Sequence, residues 1–134
     1  MGSKILMIEH DPDDRWLTDE TFREEGISDG IEFICGADLE DYIHDQDNRP
    51  PMIILSMNAQ PFKGVDLIRK IRDTGGYDTV PIVVLSETAL PADVRESYAA
   101  GASSFIIKPA SYSDALFKIK SFINYWFRTV ELPF

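Results

Sequence analysis

A chain of 134 residues is long enough for one well-filled core and too short for two comfortable ones. Its composition, 44% hydrophobic, 27% charged and 11% aromatic, is that of a globular domain and excludes a disordered or fibrous chain. The formal net charge of −10 opposes an electrostatic grip on nucleic acid or an anionic membrane. The single cysteine, Cys35, excludes an internal disulfide and a multi-cysteine metal site. No apolar run approaches the roughly 20 residues of a membrane span, and none makes a signal-peptide core. A cytoplasmic domain occupying residues 1–134 is the expectation.

Short apolar runs alternate with longer amphipathic ones along the chain. Residues 4–8 read as a buried strand that stops at Glu9-His10-Asp11-Pro12, and 13–25 as a helix capped by Asp13 or Asp14 and closed by Gly26. A second strand is predicted over 31–35, with Cys35 in its core, and a helix over 38–46 with Leu39, Tyr42 and Ile43 inward. The third strand, 52–55, is the most buried in character. A helix from 65 to about 73 follows the loop containing Gly64, and Gly75-Gly76 ends it. A strand over 81–85, a helix over 92–100 stopped by Gly101, a strand over 104–107 and a helix from 113 to about 129 complete the pattern.

Strands interleaved with helices imply a parallel sheet covered on both faces, because parallel strands need crossovers and bury both sides. In such sheets ligands bind outside the carboxyl ends of the strands. That rule selects Glu9, His10, Asp11, Ser56, Ser86 and Lys108, which should converge. Carboxylates, hydroxyls and one ammonium together suit a phosphoryl group with a hard cation.

The order and spacing of four segments resemble a response-regulator receiver domain of the two-component, chemotaxis-type family. They are Ile5-Leu6-Met7-Ile8-Glu9-His10-Asp11-Pro12-Asp13-Asp14, Ile53-Ile54-Leu55-Ser56 with Gly64, Val83-Val84-Leu85-Ser86, and Gly101-Ala102-Ser103-Ser104-Phe105-Ile106-Ile107-Lys108-Pro109. The resemblance implies a flavodoxin-like doubly wound five-stranded parallel sheet, order 2-1-3-4-5, with five helices. It also implies a place in a phosphorelay, with a sensor histidine kinase or other signalling protein as partner.

Carried over residue by residue, the family's phosphoacceptor aspartate falls on Ser56, eight residues before Gly64. A carboxylate is ionised at neutral pH and attacks a phosphohistidine unaided, whereas a serine hydroxyl is not ionised. The paired acids at the end of the first strand fall on Glu9 and His10, and an imidazole is a poor magnesium ligand. In the loop after Ser56, Asn58 matches the family, but Ala59 and Gln60 stand where Met-Pro is common and Pro61 comes one place late. The Mg2+ site is therefore expected to be degenerate and the protein to hold no cofactor. Ser86, Phe105 and Lys108 match the family's switch residues, and Lys108 is expected to pair with Glu9 or Asp11, with Trp16 close by.

The expected function is thus a stand-alone signalling module, not an enzyme: a pseudo-receiver acting by protein contact. The alternatives are a magnesium-dependent phosphorelay receiver using another residue, and a structural dimerisation or kinase-sequestering module.

In the last helix Tyr112, Leu116, Ile119, Ile123, Trp126, Phe127 and Val130 form one broad apolar stripe. Phe117 and Tyr125 fall off it, and Leu132 lies in an apolar tail over about 128–134. Spare aromatics suggest a surface that another chain covers. The ending also resembles the extension of phytochrome-associated single-domain receivers, which implies a homodimer using Phe117, Tyr125, Trp126 and Leu132.

Overall fold

The computed structural model describes residues 4–27, 30–45, 47, 49–58 and 62–133. Five strands alternate with five helices in chain order: β1 (Ile5–Ile8), α1 (Pro12–Glu24), β2 (Ile31–Ile34), α2 (Leu39–His44), β3 (Ile53–Ser56), α3 (Gly64–Arg72), β4 (Ile82–Ser86), α4 (Pro91–Ala100), β5 (Ser104–Ile107) and α5 (Tyr112–Arg128). All pairings are parallel, and the strand order is β2-β1-β3-β4-β5. This is the order expected from the sequence.

Strand alternation divides the core into two layers. Leu6, Ile8, Ile53, Leu55, Ile82 and Val84 face one way, against α2 and α3, with Tyr77 and Val80. Ile5, Met7, Ile54 and Val83 face the other way, toward Phe22 of α1 and Phe122 and Ile123 of α5. The rings there meet closely, Phe22 lying edge-on to Phe127 with centroids 5.7 Å apart.

The layer under α2 and α3 is tied off at the amino edge of the sheet by Arg72, the last residue of α3. Its guanidinium donates to Gly101 O from Nε (3.0 Å) and Nη2 (2.7 Å), and from Nη1 to Tyr77 O (2.7 Å) and Val80 O (2.8 Å). Gly101 ends α4 with φ +119°, and a Cβ there would lie 2.8 Å from the Arg72 side chain, so both conformation and space require glycine.

Several local expectations are corrected. Asp11, not Asp13 or Asp14, caps α1, because Pro12 takes the first helical position, where its missing N–H costs nothing. Cys35 lies just past β2, half-buried, where its backbone opens a 3-10 turn (Gly36–Asp38) ahead of α2. In α5 the buried residues are Phe122 and Ile123, while Tyr112 is 61% exposed; aromatics on every side of that helix made its inward face ambiguous. Residues 59–61, with the altered loop motif, lie outside the described residues.

Candidate functional site

The carboxyl ends of β1, β3, β4 and β5 open into a cavity of about 300 Å³ lined by Glu9, His10, Asp11, Asp14, Ser56, Asn58, Ser86 and Lys108, among others. Glu9, Ser56, Ser86 and Lys108 arrive there because their strands stop at that point, and Asp14 reaches it from the first turn of α1.

Glu9 follows β1 directly and is 1% exposed. Its N–H donates to Ile34 O (3.0 Å), its carbonyl accepts from Arg15 Nε, and its carboxylate accepts from the Asp11 N–H (3.3 Å). Ser56 is the last residue of β3 and is 2% exposed. Lys108 follows β5, its N–H anchored to Ser86 O at 2.7 Å, and sends its side chain back across the cavity.

There the ammonium makes three contacts: Glu9 Oε1 at 2.7 Å, Asp14 Oδ2 at 2.9 Å and Ser56 Oγ at 3.3 Å. An ammonium carries three N–H donors, so its capacity is filled. Burial alone would lower the Lys108 pKa, but the hydrogen bonds and charges of Glu9 and Asp14 outweigh it and raise it. Lys108 is therefore firmly charged and cannot act as a base toward Ser56.

The sequence placed Lys108 against Glu9 or Asp11; the structure pairs it with Glu9 and Asp14. Asp11 Oδ1 accepts from the N–H groups of Asp13 (2.8 Å) and Asp14 (3.2 Å), which holds it at the start of α1. That cap sets the first turn of the helix so that Asp14 reaches the lysine. The missed signal was Pro12, which makes the residue before it the cap.

His10 is exposed, with Nδ1 3.8 Å from Glu9 Oε2. Ser86 Oγ accepts from the Thr88 N–H at 3.3 Å. Asn58 is exposed at the rim. Phe105 lies outside the lining and packs, half-buried, against the layer under α2 and α3. Trp16 is 60% exposed on α1 and does not line the cavity, contrary to expectation. Among the described residues, no three His, Cys, Asp or Glu side chains are grouped so as to hold a metal ion.

Residues 5–120 match the response regulator receiver domain family. The chain belongs to that family. This receiver domain is 26% identical over 127 residues to the probable methanogenesis regulatory protein FilR2 of Methanothrix harundinacea, covering 91% of this chain and 82% of that one. It is 23% identical to the response regulator Rcp1 of Synechocystis, over 96% and 92% of the two chains. Among solved structures, the phosphorylated cyanobacterial phytochrome response regulator RcpA superposes with a TM-score of 0.91, at 23% identity, over 100% of both chains. The Mn2+-bound form of Rcp1 gives 0.89 at 22% identity over 98% and 99%. At these identities the structural likeness establishes the receiver fold. A phytochrome-associated receiver is among its neighbours, as the C-terminal sequence suggested.

No helix among the described residues is long and apolar enough to cross a membrane.

Proposed function

We propose that this receiver domain of a two-component system is a pseudo-receiver, with Ser56 at the phosphoacceptor position and its signal passed by protein contact. The supporting observation is the Lys108 ammonium, whose three donors are taken up by Glu9, Asp14 and Ser56. An aspartate in place of Ser56 would add a third carboxylate around the lysine and an anionic oxygen ligand for a cation. Ser56 supplies neither.

The residues present do not suit a magnesium ion. Magnesium demands a near-octahedral set of oxygens. Here the position beside Glu9 is an imidazole, Asp11 is turned to its helix, and the carboxylates of Glu9 and Asp14 lie on an ammonium. Receiver domains work with histidine kinases and other signalling proteins, and such a protein is the proposed partner. Its contact would be read through a pocket held in one state.

The test is calorimetric titration with Mg2+, followed by beryllofluoride, monitored in parallel by amide NMR. The wild-type protein is expected to show no saturable change. The double variant Ser56→Asp/His10→Asp should gain Mg2+ binding, with shifts at Glu9 and Lys108. Saturable binding to the wild-type pocket overturns the reading.

The homodimer belongs to the same proposal. Phe117 and Tyr125 are 69% and 52% exposed on α5, while Trp126, edge-on to Tyr125, and Leu132 are half-buried. A Phe117→Ser/Tyr125→Ser variant should sediment at half the wild-type mass. An unchanged mass removes the dimer.

A further inference from the structure

Beneath the helices on the aromatic side of the sheet, a second cavity lies between α1, α5 and the strands. It measures about 100 Å³, and Met7, Leu17, Phe22, Ile106, Ile119 and Phe122 make most of its wall. An enclosed apolar cavity of about 150 Å³ stays dry and takes up benzene; this one opens to solvent beside Lys118, so a guest larger than its volume can extend out of it. The unfilled volume leaves the lining side chains without dispersion partners on one side, so an apolar guest of matching size gains contacts that water cannot supply.

The charged residues on this wall are not balanced. Asp14 and Lys108 both line the cavity, and they are matched to each other at 2.9 Å. Lys118, exposed on α5, is different. Its ammonium donates to the Ile107 carbonyl at 2.8 Å, and no described carboxylate pairs with it. In a chain of net charge −10, a cation beside an apolar cavity with only a neutral carbonyl for company is a local exception.

We propose that this cavity is a binding site for a small apolar molecule carrying a carboxylate. The apolar body sits among Leu17, Phe22 and Ile106, and the carboxylate meets the Lys118 ammonium. Asp14 and Lys108 line this cavity and the acidic one alike, so the occupant lies against the ion pair that also holds Ser56. The site stands on its own geometry and is independent of whether Ser56 has replaced an acceptor.

The probes are benzoate and its uncharged counterpart toluene, titrated into the full chain and followed by methyl NMR. Benzoate should give saturable shifts at Leu17, Ile106 and Ile119. Toluene should shift the same methyls with about threefold weaker affinity, the size expected of one solvent-exposed charge contact. Lys118→Gln should bring benzoate down to the toluene value and leave toluene unchanged. Ala115→Leu, which fills the cavity from α5, should abolish both; Ile106→Phe fills it from the sheet if the first variant fails to fold.

Absence of saturable shifts with either probe overturns the site. Binding that survives a folded, filled variant overturns its location. Equal affinities for benzoate and toluene overturn the carboxylate assignment.

Discussion

Arg72 and Lys108, two of the half-buried cations among the described residues, lie at opposite edges of the sheet and are satisfied in opposite ways. Arg72 at the amino edge donates to the main-chain carbonyls of Tyr77, Val80 and Gly101. Lys108 at the carboxyl edge donates to the side chains of Glu9, Asp14 and Ser56. Burial lowers the Arg72 pKa, only partly countered by the charge of Asp78, whereas two carboxylates raise that of Lys108. Carbonyls of a folded backbone cannot rotate away, take up a proton or be replaced by mutation. Carboxylates can do all three, and a hydroxyl can rotate away or be replaced. The first arrangement is a fixed tie and the second an exchangeable one, although both rest on similar hydrogen bonds.

The contrast breaks first at Arg72. Arg72→Ala strands carbonyls of three residues and should cost about 3–4 kcal/mol in urea unfolding, because lost charged hydrogen bonds and orphaned acceptors add. Arg72→Lys keeps the charge but not the fork, and should recover less than half of that loss.

At the other edge, Lys108→Met leaves the 1%-exposed Glu9 carboxylate without its partner, at an expected cost of about 3 kcal/mol near neutrality. A second substitution, Glu9→Gln, should restore much of the stability at pH 7. No such rescue by a side-chain partner exists for Arg72, and finding one would erase the distinction.

The smallest effect lies at alkaline pH. Lys108 is raised above its ordinary value, and burial likewise raises Tyr42 and Tyr77, whose hydroxyls have no described partner. Groups raised in the folded state contribute stability that is complete below their unfolded values, about pH 10 for all three, and is lost as pH climbs through the folded values. Unfolding free energy should therefore be level through neutral pH and decline from about pH 10 upward. Phenolate absorbance from Tyr42 and Tyr77 should appear only together with the loss of helical circular dichroism.

The same contrast explains what the sequence made legible. Strand runs such as Ile53-Ile54-Leu55 announce themselves by unbroken apolarity, and the residue that ends each run falls at the sheet edge. Glu9, Ser56, Ser86 and Lys108 could therefore be placed in one pocket without coordinates. Asp14 could not, since three aspartates compete for the start of α1 and the winner sets where the others point. Arg72 was invisible for another reason: its partners are carbonyls, which every residue carries, so no side-chain pattern records them. Phe122 was missed because α5 is aromatic on more than one side, which blurs the period that identifies a buried face.

The Arg72 tie also constrains how α4 can move. Its last turn is clamped through the Gly101 carbonyl, whereas its first turn follows the exposed residues 87–90, and Leu90 offers no side-chain cap. A helix held at one end and loose at the other pivots like a door on a single hinge. Any rearrangement that begins at Ser86 should therefore swing Pro91 through the widest arc and leave Ala100 nearly still.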